Sequence, residues 1–117
     1  MLMLPPNTRI FIGTQRVDMR KSMDGLSVLV KEVLHKEPLS GHFFVFLNQR
    51  GDKLKILYWD RNGFCLWYKR LEKQTFRLPK IPGEVFSVSG TELGMILEGI
   101  DLGHQQRLEA LDYVAVN

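Results

Sequence analysis

The residues of this 117-residue chain that invite a chemical reading fall into three sets. They are scattered carboxylates, three histidines with a single cysteine, and a dense run of cations mixed with aromatic side chains. Asp18, Asp24 and Asp60 are the carboxylates that a metal-dependent nuclease would need, because such enzymes hold their ions on oxygen ligands. Local surroundings give each a plainer job. Asp24 stands at a helix start, Asp60 opens a turn that runs to Gly63, and Asp18 lies beside Arg20 in Asp18-Met-Arg-Lys21. His35, His42 and His104 lack a ligand spacing such as H-x-x-x-H. Cys65 alternates with apolar residues, which fits a small buried hydrophobe better than a nucleophile. Gly-x-Ser-x-Gly, phosphate-loop and dinucleotide fingerprints are absent. No catalytic residue, metal site or cofactor is expected.

The cations carry more information. Residues 50–80 hold nine of them (Arg50, Lys53, Lys55, Arg61, Lys69, Arg70, Lys73, Arg77 and Lys80) against Asp52, Asp60 and Glu72, a balance of +6. Residues 1–49 balance at +2 and residues 81–117 at −5, so the overall +3 hides a basic middle and an acidic end. Cations interleaved with aromatic rings suit nucleic acid: the charges displace counterions from phosphates, and a ring stacks on a base. The expected DNA-binding set is Arg50, Lys53, Lys55, Arg61, Tyr68, Lys69, Arg70, Lys73 and Arg77, with Arg20 and Lys21 as additional contacts. The plainer reading is that lysines on a sheet keep it soluble and block edge aggregation. The acidic end (Glu92, Glu98, Asp101, Glu109, Asp112) is either a docking surface for a protein or the solvated side of a helix.

The elements that must position these residues can be read from periodicity and punctuation. Residues 9–13 form a short strand ended by Gly13. Residues 22–35 repeat apolar side chains at Met23, Leu26, Val30, Val33 and Leu34, a helix that Ser22 or Asp24 caps and Pro38 closes. Phe43-Phe-Val-Phe-Leu47 is apolar on both faces, as a central strand is. Turn residues at 48–52 and 60–63 separate strands 53–59 and 64–70, and further short strands are expected at 75–78 and 85–88. Ser89-Gly-Thr-Glu92 is a capping box that predicts a helix at 90–99. The fold class expected is α+β: a mostly antiparallel β-meander of about five to six strands packed with two main helices. Residues 1–101 are expected to form a single domain, and residues 102–117 a C-terminal tail with a short helix at 104–112. A composition 44% hydrophobic and 25% charged, with no apolar run near ~20 residues and no leader-like N-terminus, predicts a cytoplasmic protein without membrane contact.

Strand alternation fixes faces within the hairpin. A four-residue loop sets Trp59 opposite Phe64, and a two-residue loop sets it opposite Leu66; the registers differ by two, so both give the same faces. Leu54, Ile56, Tyr58, Cys65, Trp67 and Lys69 share one. Lys53, Lys55, Tyr68 and Arg70 share the other with Leu57, Trp59, Phe64 and Leu66. The three cations of that second face have no acidic partner evident in sequence, so it cannot be wholly buried.

The order of segments also resembles a known family. Asp18-Met-Arg-Lys-Ser-Met-Asp-Gly-Leu26, Gly41-His-Phe-Phe-Val-Phe46, Asp52-Lys-Leu-Lys-Ile-Leu-Tyr-Trp-Asp60, Asn62-Gly-Phe-Cys-Leu-Trp-Tyr-Lys-Arg-Leu-Glu72 and Glu92-Leu-Gly-Met-Ile-Leu-Glu-Gly-Ile-Asp101 follow in series. Over residues 4–101 the chain resembles the TnpB-type (second reading frame) accessory protein of the IS sixty-six family of bacterial insertion sequences. This is not the RNA-guided nuclease of the same name. The resemblance implies a non-catalytic part in DNA transposition, beside a separate DDE-type transposase that carries the catalytic carboxylates. DNA at the element ends and the transposase are then the partners expected, either through direct DNA contact or as a protein adaptor.

Overall fold

A computed structural model of the protein describes residues 4–101. The helix expected at 104–112 lies outside the described residues. Five strands and two helices follow one another as β1 (Ile10–Gly13), α1 (Met23–Glu32), β2 (Phe43–Leu47), β3 (Lys53–Asp60), β4 (Gly63–Arg70), β5 (Val85–Val88) and α2 (Gly90–Leu97), with a short 3₁₀ turn at Pro38–Ser40. The strands form one open mixed sheet in the order β4-β3-β2-β1-β5, an α+β fold. Strands β2, β3 and β4 are the expected meander, and β5 pairs antiparallel with β1. The β1–β2 pair is parallel, and α1 supplies the crossover that a parallel pair requires.

The all-apolar β2 is the centre of the sheet and is buried along its whole length. Its alternation sends Phe44 and Phe46 to one face, where Phe11, Leu57 and the α1 residues Leu26 and Val30 meet them with Leu34. Phe43, Val45 and Leu47 go to the other face, against Leu54, Ile56 and the α2 residues Leu93, Ile96 and Leu97. The sheet is therefore covered by one helix on each side.

Helix starts and stops follow local chemistry. At α2, Ser89 Oγ accepts from the Glu92 amide at 3.1 Å and Glu92 Oε1 accepts from the Ser89 amide at 2.8 Å, the reciprocal pair that the capping box predicts. Ser22 takes the N-cap position of α1, but its side chain makes no capping bond, and Asp24 sits in the first turn. The helix ends at Glu32, short of the expected 35, because its last turn opens. The Leu34 amide reaches the Leu29 carbonyl at 3.1 Å and the Lys36 amide reaches Val30 at 3.0 Å, around His35 at φ 55°.

Residues 75–78 are not a strand. The Phe76 amide donates to the Gly51 carbonyl at 2.8 Å, and its ring enters the α2-side core at 3% exposure. A single hydrophobic anchor, rather than a ladder, fixes that segment. Cys65 is half-buried rather than buried, because β4 forms a sheet edge.

Candidate nucleic-acid interface

The hairpin register is now definite: Trp59 opposes Phe64, and Asp60 opposes Gly63. The two faces are those that alternation gives. Lys53 stands directly across from Arg70, and Lys55 from Tyr68, at the end of the hairpin remote from the Asp60–Gly63 turn. Like charges facing each other across a ladder destabilise it, so this end carries an electrostatic penalty unless an anion relieves it. Glu72 relieves part of it, with its Oε1 2.9 Å from Arg70 Nη2. That pairing corrects the sequence reading, which gave Arg70 no acidic partner. Lys53 has no ion-pair partner among the described residues.

Two loops build this end into a groove. In the β2–β3 turn, Asn48 Oδ1 accepts from the Gly51 amide at 2.9 Å and the Lys53 amide at 3.0 Å, while its Nδ2 donates to Asp52 Oδ1 at 2.8 Å. Gly51 turns there at φ 84°, a left-handed conformation that glycine adopts without strain. The donation from Asn48 holds the Asp52 carboxyl below its usual range. The second loop, residues 14–22, is laid against this turn. Arg16 Nη1 donates to the Asn48 carbonyl at 3.1 Å, the Val17 amide to Leu47 at 2.9 Å, and Lys55 Nζ to the Met19 and Lys21 carbonyls at 2.7 and 3.1 Å.

Between the loops lies an open groove of about 530 Å³ whose lining includes Arg20, Gln49, Arg50, Lys53 and Tyr68. Tyr68 is 48% exposed there, a ring face available beside cations. Across the 14–22 loop is a more enclosed apolar cavity of about 120 Å³, walled by Val17, Leu29, Val33, Leu34 and Phe46. Arg16, Asp18 and Lys21 border that cavity as well, but the exposed Tyr68 ring with Arg50 and Lys53 beside it is on the groove side.

Asp18 and Arg20 form a forked pair at its rim. Arg20 Nε lies 3.1 and 3.0 Å from the two Asp18 oxygens, and Nη2 lies 2.6 Å from Oδ2. The guanidinium, helped by the Arg20 amide, holds the Asp18 carboxyl at about 2, below the usual carboxylate range. The loop thus enters α1 as an internally paired turn. A carboxylate depressed in the folded state adds stability above its unfolded pKa and loses it as pH falls toward 2. NMR titration is expected to show Asp18 still ionised at pH 3, and Arg20→Ala is expected to return its midpoint toward 3.8.

The expected DNA-binding residues separate accordingly. Arg20, Arg50, Lys53 and Tyr68 share the groove, and Arg70 stands opposite Lys53 beside it. Arg50 also borders a smaller recess with Lys73. Lys55 lies under the groove, its ammonium committed to two carbonyls and 5.7 Å from the Tyr68 ring centre. Lys69 is on the opposite face, where Nζ donates to the Leu97 carbonyl at 2.8 Å and so neutralises the C-terminal end of α2. Arg61 is 93% exposed at the far end of the hairpin, and Arg77 is exposed beyond Phe76. Lys21 is exposed and lends its carbonyl to Lys55. Asn48, Gln49 and Arg16 shape the groove although sequence reasoning passed over them; they come together only through contacts across more than thirty residues.

Among the described residues, no group of three or more His, Cys, Asp or Glu side chains is placed to hold a metal, and no helix is long and apolar enough to cross a membrane. Comparison with known proteins gives the surroundings of this site. The family described as IS66 Orf2 like protein matches residues 8–107. The uncharacterised protein y4hO of Sinorhizobium fredii is 40% identical over 106 residues, covering 89% of this chain and 92% of that relative. Protein y4jC of the same organism, also uncharacterised, is 38% identical over 93 residues, 80% of each chain. No solved structure matches the chain.

Proposed function

The chain belongs to the IS66 Orf2-like family, and from that premise we propose that it serves transposition by holding DNA in the groove between the 14–22 loop and the β2–β3 turn. Family membership makes it an insertion-sequence accessory protein associated with transposition. The observation that carries DNA contact is the opposed Lys53–Arg70 pair beside Arg50 and the exposed Tyr68 ring. Phosphates relieve a like-charge pair that the protein leaves only partly compensated, and the Tyr68 ring offers stacking surface to a base. Catalysis belongs in this reading to a separate DDE-type transposase, which the accessory protein assists at the element ends.

Binding of duplex element-end DNA across a salt series tests this. Each phosphate contact contributes about 0.9 to the slope of log affinity against log salt, so Arg50→Glu/Lys53→Glu is expected to flatten the slope by roughly 2. Affinity should fall at least tenfold at low salt, with Arg61→Glu at the far end of the hairpin as the near-neutral control. Equal binding by wild type and the double variant, or no binding by either, sinks the proposal. Co-purification with the transposase in that event would leave the protein-adaptor role instead.

A further inference from the structure

We propose that β4 is a self-association edge: two copies of this chain pair antiparallel through residues 63–69, about a two-fold axis at Leu66, and extend the sheet from five strands to ten. Strand β4 is eight residues long and, among the described residues, pairs only with β3, so that within residues 4–101 its outer side presents backbone N–H and C=O groups without a strand partner. Proteins protect such edges with short strands, proline or charge. The opposite edge fits that rule, since β5 has four residues and follows Pro82. Residues 63–68 do not: Gly-Phe-Cys-Leu-Trp-Tyr has no charge and no proline, and its side chains are only partly buried through residue 67, with Tyr68 exposed at 48%.

The charge pattern selects the occupant and its direction. Cations occur only at Lys69 and Arg70, at one end of the strand. A parallel second copy brings those cations alongside their own counterparts, which a ladder disfavours. An antiparallel second copy carries them to the uncharged end. A two-fold axis normal to the sheet keeps each residue on its own face, so facing residues must share parity and the axis must pass through a residue. Centred on Leu66, the pairs are Leu66 with Leu66, Cys65 with Trp67, Phe64 with Tyr68 and Gly63 with Lys69. Aromatic and apolar side chains then oppose each other, and no cation meets a cation. Both copies of the groove come to lie on one side of the ten-stranded sheet.

Sedimentation of the full chain from 1 to 100 μM, with amide exchange of β4, tests this. The expected result is a species of twice 13.6 kDa and β4 amides whose protection grows with concentration. Cys65→Ser/Leu66→Cys should cross-link to a covalent dimer in oxidised glutathione, whereas Cys65→Ser/Asp60→Cys should not. Leu66→Arg sets two guanidinium groups on the axis and should weaken association at least a hundredfold while the far-ultraviolet spectrum is kept. A monomer at 100 μM overturns the proposal. So does a dimer that the residue 66 cysteine fails to capture, which places the contact elsewhere. Concentration-independent protection of β4 in a monomer would give the edge to another segment of the same chain, and equally overturns it.

Discussion

Replacing Phe44 by alanine is expected to destabilise the fold by about 3–5 kcal/mol, read as a lower urea midpoint at an unchanged m-value. Phe44 is fully buried at the middle of the central strand, with Leu57 beside it on β3 and Phe11 on β1. Its ring stacks on Phe11 with centroids 5.8 Å apart and planes 17° from parallel. Leu26, Val30 and Leu34 cover the same layer. Truncation leaves a hole bounded by three strands and a helix, and a sheet fixed by hydrogen bonds on both sides of β2 has little room to collapse into it. Against a typical total stability of about 5–15 kcal/mol, the variant would be marginal at best. Val28→Ala, on the exposed side of α1 at 56%, should stay within about 0.5 kcal/mol. A loss below about 1 kcal/mol for Phe44→Ala would mean that α1 closes down on the sheet, contrary to the packing seen.

Phe44 also marks what was legible in the sequence. A five-residue, aromatic-rich run that is apolar on both faces reads as a strand covered on both sides, and β2 is that strand. Period-two alternation determined the hairpin faces before its loop length was known, because the two registers moved no side chain across the sheet. The capping box located α2 because both of its bonds are local. What sequence left hidden depends on distant contacts. The parallel β1–β2 pair leaves no local pattern, since it depends on where α1 returns the chain. Phe76 reads as strand-like but serves as a plug, because its amide partner, Gly51, is twenty-five residues away. Alternation sets Lys69 beside Leu54 and Ile56, but that α2 covers this face and takes the ammonium at the Leu97 carbonyl depends on a contact twenty-eight residues away. Lys55 was equally invisible, since its carbonyl partners belong to a loop thirty-four or more residues away.

Asn48→Ala is the second large effect, and it reaches the groove as well as the fold. Asn48 is part-buried, and its amide group makes three hydrogen bonds: two accepted at Oδ1 from Gly51 and Lys53, and one donated to Asp52. The Gly51 amide also has the Asn48 carbonyl at 3.1 Å, whereas the Lys53 amide donates to Oδ1 at 3.0 Å. Removing the side chain strands at least one inward amide, for a loss of about 2–3 kcal/mol. Because the same turn presents Arg50 and Lys53, the DNA affinity proposed for the groove should fall with it, although no cation has been removed. Asn48→Asp separates the two roles of the side chain. The introduced carboxylate still accepts from both amides but turns the 2.8 Å donation to Asp52 into a repulsion. One proton shared between the two carboxyls relieves that repulsion, so the stability deficit of Asn48→Asp should be greatest near pH 7 and shrink toward pH 4. Wild type runs the other way: Asp52, held below its usual range chiefly by the Asn48 donation, contributes above its unfolded pKa and loses that contribution as pH falls. Urea midpoints for both proteins from pH 7 to pH 4 measure the difference. Parallel curves would show that the Asn48–Asp52 bond does not hold the turn, and the fall in DNA affinity would then need another cause.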